Sequence, residues 1–138
     1  MNMSTSKTTQ ADVDPHKTPA AGPQTVSSYT VTITNNATVD LYLSSSQSSE
    51  PWTTPPPQQI AANGGQGKFV SPGAFAVPCK GFVTYQTGSG ESATFNWDIP
   101  NVGSNVITWG TSGANLSMSE SGSLSGWNVS NAFTVTGS

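Results

Sequence analysis

Any chemistry in this chain has to be assembled from very few reactive side chains. It holds one histidine, His16, and one cysteine, Cys79. His16 lies in an N-terminal stretch with no hydrophobic period, so a Ser-His-Asp or Cys-His arrangement has no imidazole base in the part expected to fold. One His and one Cys far apart do not make a zinc site. The later carboxylates, Asp40, Glu50, Glu91, Asp98 and Glu120, are scattered along the chain rather than clustered as calcium binding needs. Glu91 and Asp98 fall on opposite faces of one expected strand, roughly 23 Å apart at ~3.3 Å per residue, too far for a glycosidase pair. "NGGQG" and "TGSGE" open no helix and carry no lysine in phosphate-loop spacing, so they read as turns. The inventory predicts no catalytic site, no metal and no cofactor.

The composition says what must position the remaining groups. Apolar residues are 33% of the 138-residue chain and charged residues only 8%; Ser, Thr, Asn, Gln and Gly supply the rest. Strand-favouring residues among many turn formers indicate an all-β domain of ordinary size. The four lysines come without arginine, and the net charge is -3. A negative domain lacking a basic patch is not a nucleic-acid binder, and it has no strong attraction for anionic lipid. One cysteine excludes an intrachain disulfide, so packing alone must stabilise the fold. No apolar run reaches the ~20 residues of a membrane-spanning helix. "MNMSTSKTTQADVDPHK" has no apolar core of a signal peptide. The expected location is intracellular until release, or secretion by a non-classical route. Sequons at Asn36, Asn115 and Asn128 matter only in a eukaryotic secretory pathway.

Along the chain, residues 1–26 read as a disordered Thr/Ser/Pro-rich leader, and 27–138 as a single antiparallel β-sandwich of about eight strands. "YTVTIT" places Tyr29, Val31 and Ile33 on one face; "TVDLYL" alternates likewise, and the "NNA" between them suggests a hairpin. "SSSQSSEPWTTPPP" (44–57) is expected to be a long surface loop, because its prolines cannot donate to a sheet. "PGAFAVP" is bracketed by prolines and reads as an edge or irregular segment. "GFVTYQ" and "SATFNWD" flank "TGSGE" as a second hairpin. "VITW", "NLSMSE" and "NAFTVTG" follow, separated by Gly/Ser turns, in the pattern of a two-sheet sandwich.

Trp97 is in phase with Ala93 and Phe95, and Trp109 with Ile107, so both are expected in the core. Trp52, in its Pro-rich loop, and Trp127, in a Ser/Gly-rich stretch, are the candidate exposed anchors, since tryptophan suits interfaces that are apolar on one side and polar on the other. Between the two core tryptophans lies a polar loop with Asp98, Asn101, Ser104 and Asn105, groups able to hydrogen-bond a polar head group. Tyr85 joins the candidate set as a ring that a sugar face can stack on.

The order of these pieces resembles the aegerolysin-like β-sandwich proteins, especially their bacterial insecticidal crystal-protein relatives within a wider cytolysin-like group. "YTVTITNNATVDLYL", "EPWTTPPPQQIAANGGQGKFVS", "GFVTYQTG" and "TFNWDIPNVGSNVITW" carry the likeness over roughly 27–137, with "WDIP" and "GSN" its most specific parts. The Trp-Gly-Lys of typical fungal members is absent, "EPWTT" standing near its place. "VPCKGF" replaces the usual Gly-Thr-Glu-Gly turn, and "DIPN" lacks a second Trp. The resemblance implies a membrane-binding protein, sometimes toxic or haemolytic, that recognises lipid head groups and in some members acts with a larger pore-forming partner. No segment alternates over two strands of ~9–11 residues with a free apolar face, as a membrane-inserting hairpin requires. The expectation is therefore a non-enzymatic protein that docks on a membrane or cell surface. A carbohydrate-binding module using the same residues is the first alternative, and a structural crystal- or spore-associated protein the second.

Overall fold

The computed structural model describes Ser6–Val13, as backbone, and residues 26–137. Two sheets face one another, and among the described residues there is no helix. The larger sheet has the order β1-β8-β7-β6-β3-β4 and the smaller the order β5-β2-β10-β9. In chain order the strands are β1 (Ser6–Val13), β2 (Ser28–Asn35), β3 (Leu41–Ser48), β4 (Gln59–Ile60) and β5 (Gly65–Pro72). They continue with β6 (Cys79–Gln86), β7 (Ser92–Ile99), β8 (Asn105–Ser112), β9 (Leu116–Ser121) and β10 (Asn128–Gly137).

Period-two alternation puts these residues in strands. In β7, Ala93, Phe95, Trp97 and Ile99 point inward while Ser92, Thr94, Asn96 and Asp98 point out. The inward rows of both sheets close one core, in which Phe69, Phe95, Trp97, Trp109 and Phe133 meet edge-on or tilted with centroids 4.9–6.2 Å apart. Trp97 and Trp109 are 2% and 7% exposed, as their phase predicted.

Four details depart from the expectation. β2 and β3 are not a hairpin: β2 lies between β5 and β10, while β3 lies between β6 and β4 in the opposite sheet. The "NNA" segment carries the chain across, held by the buried Asn35, which donates to Val39 O at 2.9 Å and Ile60 O at 3.1 Å and accepts from Ala37 N at 3.1 Å. Second, the expected loop over 44–57 begins later, because β3 runs to Ser48 with an irregularity between Leu43 and Ser45. Serine breaks the hydrophobic pattern but not the backbone ladder. Third, β10 pairs parallel with β2; among the described residues the other strand pairs are antiparallel. Fourth, of the expected leader, Ser6–Val13 pairs antiparallel with β8; residues 1–5 and 14–25 lie outside the described residues.

The strand directions sort the connections between two ends. The β5–β6, β7–β8 and β9–β10 connections, together with Val26 and Ser27, lie at one end. The β2–β3, β6–β7 and β8–β9 connections and the β4–β5 turn lie at the other.

Candidate functional site

The first end is tied together by a chain of hydrogen bonds. Gly73 N donates to Ser27 O (2.7 Å), Ser27 Oγ to Asn101 Oδ1 (3.3 Å), Trp127 Nε1 to Asn101 O (2.9 Å) and Ser28 N to Trp127 O (2.8 Å). Asn105 braces it from inside, donating from Nδ2 to Leu124 O and Gly126 O at 3.0 and 2.9 Å. The bonds satisfy loop backbone groups that would otherwise be stranded near the core. They also gather three exposed apolar side chains, Phe75 (69% exposed), Val102 (52%) and Val26 (42%), each within two residues of a bonded position. The connecting segments 73–78, 100–104 and 122–127 contain no charged residue.

Phe75 stands at the tip of a tight turn closed by Ala74 N to Val77 O and Val77 N to Ala74 O, 3.1 and 2.9 Å. The next residue, Ala76, has φ of +60°, a left-handed conformation that glycine normally occupies. A bulky apolar ring held out by a strained turn is what a contact residue looks like, and not what stability alone would select.

Around the corner, on the outer face of the larger sheet, a groove of about 380 Å³ runs across β3, β6, β7 and β8. Phe82 and Val106 line it with Gln47, Asn96, Asp98 and Thr108, and Lys80 lies opposite Asp98 in the β6–β7 register. Beside it, Gly81 lets β3 and the core ring of Trp97 approach β6: a Cβ there would come within 2.2 Å of Gln47 O and 2.7 Å of the Trp97 ring. A smaller depression of about 120 Å³ along β7 and β8 shares Asn96 and Thr108 with the groove.

The residues expected to make contacts fall in different places. Trp52 is half-buried, its ring edge-on to Phe69 and Trp97 with centroids 5.7 and 6.1 Å away, so it caps the core. Trp127 is half-buried and spends its indole N–H on Asn101 O. Tyr85 is fully buried, its hydroxyl donating to Pro57 O at 2.7 Å and its phenol raised well above the ordinary range by burial; it offers no ring to a sugar. Asn105 is fully buried as the brace just described. Asn101 and Ser104 are half-buried in the β7–β8 loop, whose exposed residue is Val102. Asp98 alone of the set lines a cavity. Sequence reasoning passed over Phe75, and its only signal was a large apolar residue between Pro72 and Pro78.

Beneath this end the core holds a polar knot. Ser71 Oγ meets Ser48 Oγ at 2.7 Å and accepts from Trp97 Nε1 at 3.3 Å, while Cys79 Sγ donates to Ser71 O at 3.1 Å. Burial pushes the Cys79 thiol up to about 11, so it is neutral and unreactive at physiological pH. The Tyr29 hydroxyl, buried in the same region, has no hydrogen-bond partner, and burial followed by the nearby Glu120 and Cys79 raises its phenol far above the usual value. Among the described residues no group of three His, Cys, Asp or Glu side chains is placed to hold a metal ion. A search of protein-family models finds no match to the chain, and a search of curated proteins finds none either.

Proposed function

We propose that this β-sandwich is a non-enzymatic, cytolysin- or toxin-like protein that docks end-on against a membrane through the Phe75–Val102–Val26 end. The observation behind this reading is the gathering of three exposed apolar side chains on uncharged loops that hydrogen bonds hold together. Large apolar groups at loop tips gain free energy by entering the interfacial zone of a bilayer, and a charge among them would oppose entry. With a net charge of -3 the chain suits neutral or zwitterionic lipid better than anionic lipid. The resemblance to aegerolysin-like proteins supports the same reading, including action beside a larger pore-forming partner.

The test is co-sedimentation with phosphatidylcholine and sphingomyelin–cholesterol vesicles. Phe75→Ser is expected to weaken binding by about 10- to 100-fold, the worth of burying one phenylalanine. Ser89→Asp, at the opposite end, is expected to leave it unchanged. Equal binding by wild type and Phe75→Ser, or no binding to any vesicle, contradicts the proposal.

A further inference from the structure

We infer that the groove on the outer face of the larger sheet is a binding site for a neutral pyranose, independent of the membrane-docking end. Its volume of about 380 Å³ falls in the range of ligand pockets, roughly 300–1,000 Å³.

Three features select the ligand. The groove combines an apolar strip, Phe82 and Val106, with the amides of Gln47 and Asn96 and the hydroxyl of Thr108. A sugar ring has matching halves: C–H groups that lie on an aromatic face and hydroxyls that both donate and accept. The charges cancel locally, because Lys80 and Asp98 occupy paired positions on β6 and β7. An anionic or cationic ligand would gain one partner and meet a like charge beside it, whereas a neutral polyol can use the carboxylate as acceptor and the ammonium as donor. Finally, β6 and β7 are hydrogen-bonded on both sides. The β6 and β7 floor therefore has no free backbone edge on which a peptide could add as a strand; β3, paired with β4 only at Leu41 and Tyr42, forms the rim. The neighbouring 120 Å³ depression, sharing Asn96 and Thr108, extends the site toward a second sugar residue.

The full chain is titrated with soluble oligosaccharides ending in glucose, galactose, mannose or N-acetylglucosamine, and separately with phosphatidylcholine vesicles with and without a neutral glycosylceramide. Binding is expected for at least one sugar, either free or only when lipid-linked. Phe82→Ala is expected to weaken it about 10-fold by loss of the stacking face, and the exposed Asn96→Ala about 5-fold by loss of a hydrogen bond. Phe75→Ser leaves the binding of soluble sugar unchanged, which separates this site from the docking end. The inference is overturned if no neutral sugar binds in either form, or if sugar binding survives both groove substitutions unchanged. It is equally overturned if the groove substitutions weaken binding to sugar-free vesicles, which would make the ligand a zwitterionic head group.

Discussion

The two ends of this sandwich are both tied by polar side chains bonded to loop backbone, but they differ in what they leave exposed. At the β2–β3 and β6–β7 end, polar side chains are spent inward on the backbone. Asn35 makes three hydrogen bonds, Asp40 accepts from Ala62 N (2.8 Å) and Gln59 Nε2 (2.6 Å), and Glu91 accepts from Asn115 N (3.0 Å). The bonds from Ala62 and Gln59 hold the Asp40 carboxyl below its usual range. At the other end, Phe75, Val102 and Val26 face solvent and an alanine sits at left-handed φ. Among the described residues the buried polar atoms without a partner, Tyr29 Oη and Asn131 Oδ1, also belong to that half of the molecule. The β2–β3 end also carries an exposed Tyr42 and a left-handed Asn63, but asparagine tolerates that conformation better than alanine, so the larger share of strain and exposed apolar surface lies at the Phe75 end. Such violations of local consistency collect where a protein does its work.

The sharpest way to break this contrast is to cut one brace at each end. Asn35→Ala is expected to cost about 3 kcal/mol, because it removes three hydrogen bonds, two of them buried, and strands their backbone partners. Asn105→Ala, with two donations to the β9–β10 loop, is expected to cost about 2 kcal/mol. Both are read from urea unfolding midpoints. Their difference lies in vesicle binding by the folded fraction, which Asn35→Ala spares and Asn105→Ala reduces. Equal effects on binding would erase the distinction between the ends.

Alkaline titration probes the apolar end's core. The Cys79 thiol is pushed up from its ordinary value to about 11, so the fold prefers it neutral. That preference is complete below about pH 9 and is lost as pH rises through 11, at about 1.4 kcal/mol per pH unit. Burial raises the phenols of Tyr29 and Tyr85 in the same direction, so they extend the decline to higher pH. Cys79→Ser is expected to abolish the first part of the fall in the unfolding midpoint. A midpoint that rises between pH 9 and 11 would contradict the sign.

Smaller effects sharpen the picture. Tyr29→Phe removes a buried hydroxyl without a partner and is expected to be neutral or to stabilise by about 1 kcal/mol. Ala76→Gly relieves the left-handed alanine and, after the added unfolded-state entropy, is expected to stabilise by less than about 1 kcal/mol. A stabilising change in the Phe75 turn that also weakens membrane binding would show that the strain sets the ring's position.

Much of this architecture is legible in the sequence because alternation is a local signal. It places Trp97 and Trp109 inside, marks β6 and β7 as a hairpin, and gives a two-sheet fold. Which strands become neighbours is a different matter. "NNA" reads as a hairpin turn, yet Asn35 turns inward and sends β3 to the other sheet, a choice fixed by backbone groups at Ile60, far along the chain. The site was harder still to read. Tryptophan's size drew attention to Trp52 and Trp127, but large rings beside a core gain more by packing, and the smaller Phe75 and Val102 were left outside. Lys80 and Asp98 become neighbours only through the β6–β7 register, which alternation alone does not supply.

End-on docking is tested most directly by where the bilayer touches the chain. Cys79 is buried and its thiol neutral, so a cysteine introduced at Val102 or at Ser89 can be labelled selectively with a polarity-sensitive dye. On mixing with vesicles, the label at position 102 is expected to shift to the blue and become protected from an aqueous quencher, while the label at position 89 stays unchanged. A blue shift and protection at position 89 with none at position 102 would contradict the account.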